Sequence, residues 1–228
     1  MRAPGHRDPV VTIDGPAGAG KSTVARGLAR RLGWNLVSTG ALYRALAWAV
    51  REARVNIDDH KALQQLLDRT DVTLAGERVL VDGHDVTAFI RTPEISDLTS
   101  LLTKQRTVRD KMTPLQRALA ARGRVVLEGR DTGSVVWPDA EVKFYLDADL
   151  ETRARRRQVD LRAQGVDMDL AAVRADVAYR DRQDMGRALA PLVRPEGAVV
   201  VDSTALTLDE VVETMARTVE QAWCCTGS

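Results

Sequence analysis

A chain of 228 residues with a formal net charge of +1 lacks the strong basic excess of a dedicated nucleic-acid binder. Its 44% hydrophobic and 29% charged residues suit a soluble globular protein with one core plus inserts. No stretch is apolar and long enough to span a bilayer, which sets membrane partners aside.

Residues 1–8 read as a loose tail with no apolar run for a signal peptide. Val10-Val11-Thr12-Ile13 has strand character and runs into Gly15-Pro16-Ala17-Gly18-Ala19-Gly20-Lys21-Ser22-Thr23. That stretch satisfies the phosphate-binding pattern G-x-x-x-x-G-K-[ST] at each fixed position. Its glycines let the backbone curl so that successive N–H groups point inward at phosphate oxygens. Lys21, expected on a solvated loop, then reaches the β- and γ-phosphates, and Ser22 offers a hydroxyl to Mg²⁺. The next helix points its positive end at the same anion, with Val24, Ala25, Leu28 and Leu32 on one face and Gly33 at its C-cap. The stretch binds a nucleoside triphosphate.

Asn35–Ser38 reads as a second strand, and Thr39 as the cap of a helix from Gly40 to about Arg54. A short helix is expected over Asp59–Asp68. Val72–Leu74, Val79–Val81 and Val86, separated by turn-forming residues, predict a small antiparallel sheet. Thr92-Pro93-Glu94 opens a helix. Another is predicted over Arg106–Arg122, which Pro114 should kink or split after Thr113. Strands follow at Arg124–Glu128 and Glu141–Leu146, then two Arg-rich helices at about 150–164 and 169–183. Ala198–Asp202 is a last strand, and Thr207 to Glu210 has capping-box spacing before a helix reaching Trp223. Trp34, Trp48, Trp137 and Trp223 read as packing aromatics. Five apolar strands alternating with helices predict a parallel sheet covered on both faces. Cys224 and Cys225 are adjacent, with no disulfide framework or metal-ligand spacing, so a reducing cytoplasm is the expected location.

Arginines gather where a phosphorylated acceptor would need them. Arg44 lies one helical turn after Thr39-Gly40, and Arg130-Asp131 follow the strand ending at Glu128, at the carboxyl edge where open α/β sheets bind ligands. Arg180 to Arg187 carries charges at helical intervals. The planar guanidinium grips phosphate oxygens bidentately and stays charged. An acceptor phosphate is already ionised and needs cations, with no catalytic base. His6, His60 and His84 fall in tail or turn regions and read as solvated.

The motifs IDGPAGAGKST, STGALYR, DVTAFIRTPEIS, LEGRDTGSVVWPDA and YRDRQDMGRALAPL together resemble the bacterial cytidylate kinases, from about Val10 to Trp223. The resemblance implies phosphoryl transfer from ATP, with Mg²⁺, to CMP or dCMP. It implies a P-loop NTPase fold with a five-stranded parallel sheet flanked by helices. The core would cover about 9–38, 123–149 and 188–223. A monophosphate-binding region with a small antiparallel β insert would cover about 39–122, and a helical lid about 150–187. Arg44, Arg130 and Arg187 would hold the acceptor phosphate, Arg180 with Asp184 the sugar and phosphate, and Ser100, Arg109 and Asp131 the cytosine. Thr39 would line the acceptor site. Lys21, Arg130, Arg187, Arg153 and Arg157 form the implied catalytic set, with Arg153, Arg156 and Arg157 in the lid. Consecutive residues on a helix stand about 100° apart, so the arginines at 153 and 155–157 cannot all face one ligand. Glu128 replaces an aspartate often found before Gly-Arg-Asp in this family. A monomer is expected.

Other readings fit less well. A small GTPase needs N-K-x-D and D-x-x-G elements; the only asparagines, Asn35 and Asn56, do not precede lysine. An ATPase motor would show an apolar strand ending in Asp-Glu, where this chain has Val125-Val126-Leu127-Glu128-Gly129. Kinases acting on UMP, AMP or shikimate differ only in the acceptor. The arginines after the strand ends favour a phosphorylated acceptor over a bare hydroxyl.

Overall fold

The computed structural model describes residues 8–226, with side chains as far as Trp223. The tail reading for residues 1–7, including His6, and the side chains of Cys224 and Cys225 lie outside the described residues. In chain order the first elements are β1 (Val10–Asp14), α1 (Lys21–Leu32), β2 (Asn35–Ser38), α2 (Thr39–Glu52) and α3 (His60–Arg69). Next come β3 (Val72–Ala75), β4 (Arg78–Val81), β5 (His84–Asp85), α4 (Pro93–Leu102) and α5 (Arg106–Ala120). The chain continues with β6 (Val125–Glu128), a π turn (Thr132–Val136), β7 (Val142–Asp147), α6 (Leu150–Ala163) and α7 (Leu170–Met185). It ends in β8 (Val199–Asp202) and α8 (Leu208–Thr226).

Two compact units result. One takes the described residues up to Val37 and from Ala120 onward; the other is Ser38–Leu119. In the first, five strands lie in the order β2-β6-β1-β7-β8. β1 is buried along its whole length, which puts it at the centre. It pairs in parallel with β6 and β7, and β7 pairs in parallel with β8. Ile13 stands beside both Glu128 and Phe144. The loops leaving β1, β6 and β7 therefore emerge at one edge. Val24, Ala25, Leu28 and Ala29 of α1 join Val211, Val212, Met215 and Ala216 of α8 on one core with Val11, Ile13, Val126, Phe144 and Leu146. Trp34 packs on Trp223 with ring centroids 5.4 Å apart. The capping box forms: Glu210 N–H donates to Thr207 Oγ1 at 3.3 Å, and Thr207 N–H to the Glu210 carboxylate at 2.8 Å. α6 and α7 pack as a hairpin through Ala154, Leu161, Val173 and Val177.

In the second unit, β3, β4 and β5 form the expected antiparallel sheet, with Val72 opposite Val81 and Ala75 opposite Arg78. Its third strand is His84–Asp85, just short of Val86, whose N–H still bonds to Val79. α2 packs against β4 and α4. Thr92 caps α4 by accepting from Ile95 N–H, with Pro93 in the first turn.

Four expectations change. Ser38, not Thr39, caps α2, accepting the Ala41 N–H at 3.3 Å, because the helix begins one residue earlier. α5 is not split after Thr113 but continues as one helix through Pro114. Pro114 and Asp110, whose carbonyl loses its helical donor, both sit on the exposed side, where water can bond that carbonyl. β8 is an edge strand with only Val201 buried, so that end of the sheet is not covered on both faces. His60 starts α3 and His84 lies on β5; both are exposed, as expected, though not in turns. Among the described residues no helix is long and apolar enough to cross a membrane.

Candidate active site

Gly15 carries the chain from β1 into the phosphate loop at φ 149°. A Cβ there would stand 2.0 Å from the Leu146 carbonyl oxygen, so only glycine lets the loop lie so close to β7. The loop enters α1 with Thr23 and Val24 N–H bonded back to the Gly20 carbonyl. The N–H groups of Lys21 and Ser22, at the helix start, have no intrahelical acceptor and suit an anion.

Lys21 departs from the solvated position expected of it. It is 5% exposed, and its Nζ donates to the Pro16 carbonyl at 2.7 Å, so its own loop encloses it. Burial, reinforced by Arg130, lowers its pKa to about 7. Ser22 Oγ donates to Glu128 Oε1 at 3.0 Å. A hydroxyl beside a carboxylate is a hard-oxygen pair that fits a magnesium ion or its bound water, and Glu128 supplies this as an aspartate would.

The Ala17 peptide is held from both sides. Its N–H donates to Asp181 Oδ1 at 3.1 Å, and its carbonyl accepts from Arg153 at 3.0 Å. Arg153 also donates to the Ala148 carbonyl at 2.9 Å and pairs with Asp181. The hairpin α6–α7 therefore grips the loop through Arg153, whose guanidinium is committed to protein atoms. Arg156 donates to Ser203 Oγ at 2.9 Å and the Ser203 carbonyl at 2.7 Å, close to Gly20. Arg155 pairs with Glu151 on the exposed side, and Arg157 is half-buried. The helical spacing thus divides the four arginines as expected.

Asp184 gathers two arginines, Arg130 and Arg187. Its carboxylate accepts from Arg130 Nε at 2.9 Å and pairs with Arg187. Burial would lower the Arg130 pKa, but Asp184 and Glu128 hold it above its ordinary value. Arg180 pairs with Asp176 one turn earlier, at 3.3 Å. Asp131 is buried immediately before the π turn, which its carbonyl starts by accepting from Val135 and Val136 N–H.

In the second unit Thr39 is buried at the start of α2. Arg44 is half-buried, its guanidinium folded back toward Gly40. Ser100 is half-buried on α4, and Arg109 is buried on α5.

Sequence reasoning missed three participants: Asp14, Asp181 and Ser203. Asp14 ends β1 fully buried, accepting from Thr132 N–H and Oγ1 at 2.8 Å each and from Gly133 N–H at 2.7 Å. Burial raises its carboxyl to about pKa 6 against the pull of those hydrogen bonds. Asp14 and Asp181 act on backbone groups far along the chain, so no local pattern marks them. Asp181 had one available signal: it lies at i−3 from Asp184, on the same helix face.

Comparison with known proteins accords with this geometry. The family model described as cytidylate kinase matches residues 11–221. A cytidylate kinase of Geobacter sp. strain M21 is 49% identical over 216 residues, covering 93% of each chain. One from Symbiobacterium thermophilum is 47% identical over 218 residues, covering 93% of this chain and 96% of its own. A crystallised shikimate kinase from Bacteroides thetaiotaomicron shares the fold alone, with TM-score 0.52 at 11% identity over 93% of this chain and 98% of that one. Matched by that model over most of its length and by relatives nearly half identical to it, the chain belongs to the cytidylate kinase family.

Proposed function

We propose that the protein transfers the γ-phosphoryl group of ATP to CMP or dCMP, giving ADP and CDP or dCDP. The observation that carries this reading is the pair Arg130 and Arg187 on Asp184, beside a phosphate loop with Lys21 inside it. An acceptor phosphate oxygen attacks the γ-phosphorus while the bond to the β–γ bridging oxygen breaks. The acceptor is ionised near neutral pH, so the site needs cations and no general base. Arg130 and Arg187, oriented by Asp184, hold the acceptor phosphate against the repulsion of ATP. Lys21 leaves Pro16 for the β- and γ-phosphates. Magnesium bound with ATP neutralises phosphate charge, and Ser22 with Glu128 would hold it there. Thr39, Arg44, Ser100, Arg109, Asp131 and Arg180 serve the acceptor, Asp131 by accepting from the cytosine amino group. Arg157 contacts ATP from the lid, while Arg153 acts on the loop itself.

The test is ADP release from ATP with CMP, dCMP, UMP, AMP and shikimate, in wild type and in Arg130→Lys and Arg187→Lys. CMP and dCMP should give the fastest release. Either lysine keeps the charge but loses the bidentate fork, so kcat/KM for CMP should fall at least about ten-fold with KM for ATP little changed. Equal release without acceptor would make the protein an ATPase. A collapse of ATP affinity instead would place these arginines at the donor site.

A further inference from the structure

Arg130 and Asp131 are suspended between two anchors on a single strand. Before them, Gly129 N–H bonds to the Ile13 carbonyl at 3.1 Å. After them, the Asp14 carboxylate takes three hydrogen bonds from Thr132 and Gly133, at 2.7–2.8 Å. These N–H groups open the π turn, where a carboxylate satisfies donors that the turn itself leaves without partners. The approach is close: a Cβ on Gly133 would stand 2.7 Å from Thr12 Oγ1 and 3.3 Å from Asp14 Oδ2. Asp14 is 0% exposed, among the described residues no hydrogen bond or ion pair joins it to a cation, and Lys21 Nζ bonds to Pro16 instead. A buried carboxylate with no paired cation is costly where an apolar residue would fill the core. Its three hydrogen bonds fix where the chain stands after Asp131.

We propose that Asp14, the last residue of β1, is a positioning residue for the acceptor that sets Arg130 and Asp131 in place through the π turn. The proposal rests on the reading of Arg130 and Asp131 as acceptor-side groups given above. Asp14 thereby ties the acceptor residues to the strand that carries the phosphate loop. Displacement of reacting groups by about 1 Å costs on the order of a hundred-fold in rate, so such an anchor has kinetic consequences.

The test uses Asp14→Asn, Thr132→Val and Thr132→Ser in the full chain, with KM measured separately for CMP and ATP. Asparagine keeps the size but turns an amide N–H against a backbone donor. Valine removes the hydroxyl donor and serine retains it. We expect KM for CMP to rise about ten-fold in Asp14→Asn and about three-fold in Thr132→Val. Thr132→Ser should stay within about two-fold of wild type, and KM for ATP should hold in all three. A lower Tm with both KM values unchanged, or both raised alike, would mark Asp14 as merely structural and overturn the proposal. If Asp14→Asn does not fold, the Thr132 pair decides, and equal KM for CMP in Val and Ser overturns it. Asp131→Asn and Arg130→Lys separate the two levels. If they impair CMP use and Asp14→Asn does not, positioning fails and the acceptor reading stands; if they too leave CMP kinetics unchanged, both fall.

Discussion

Lys21 must give up one hydrogen bond before it can make another. In the structure its ammonium is buried against the Pro16 carbonyl, and burial with the nearby Arg130 charge brings its pKa from 10.5 to about 7. The unfolded chain therefore binds more protons between about pH 7 and 10.5, so the penalty Lys21 places on the fold is relieved as pH rises through that window. Glu128, Asp184 and Asp14 only partly offset it. ATP reverses the balance, because phosphate charges at the loop favour the ammonium. At pH 8.5, where ATP itself no longer titrates, binding should take up close to one proton; at pH 6, almost none. Calorimetry in two buffers of different ionisation enthalpy reads this directly, and Lys21→Ala should abolish the buffer dependence. Equal heats for wild type at pH 8.5 would mean that the lysine is already charged. Lys21→Ala should also lower kcat by more than about a hundred-fold, as loss of transition-state charge stabilisation does. A variant keeping a tenth of wild-type kcat would count against the phosphate-loop assignment.

Helix α7 shows how one element serves two partners. Asp181 and Asp184 lie three residues apart on one face, the first bonding the Ala17 N–H and Arg153, the second pairing with Arg130 and Arg187. Asp181→Ala frees one side of the Ala17 peptide and leaves Arg153 with the more distant Asp147 carboxylate, at 4.0 Å. We expect KM for ATP to rise by about five-fold or more, with a smaller change for CMP, since a buried charge loses its hydrogen-bonded carboxylate. Steady-state kinetics with each substrate varied checks it, and a larger effect on CMP would reverse the assignment. Neither partner of Asp181 was legible beforehand, because Ala17 lies 164 residues away. The phosphate loop was legible, since its geometry needs glycines and a lysine at fixed spacing. So were the central strands, which are buried on both faces and so demand apolar runs. The π turn was not, because five residues carry no readable period. Pro114 misled because sequence shows the missing donor but not which side of the helix faces water. Ser38 and Thr39 could each cap α2, and where the helix begins decided between them.

Across the whole molecule, the proposed donor machinery and part of the proposed acceptor machinery fall in different units. Gly15 to Thr23, Glu128, Arg153 and Asp181 all belong to the first unit, whereas Arg44, Ser100 and Arg109 belong to the second. That division predicts which ligand each variant should stop recognising. A ligand at a hundred times its Kd stabilises the folded state by about 2.7 kcal/mol, which for a chain of this size raises Tm by roughly 5–10 °C. Arg44 is the suitable probe, because it is only half-buried and its truncation disturbs the core less than that of buried Arg109. Arg44→Ala should therefore keep its ATP-induced shift while losing about half of its CMP-induced shift at the same concentration. A ten-fold weaker Kd removes about 1.4 kcal/mol of that stabilisation, or roughly 3–6 °C, well within the reach of thermal melts. KM for CMP should rise in parallel, by about ten-fold or more, as a bidentate phosphate contact is lost. If both shifts shrink together, Arg44 supports the fold as a whole and carries no acceptor-specific role. If only the ATP shift shrinks, donor recognition extends into the second unit.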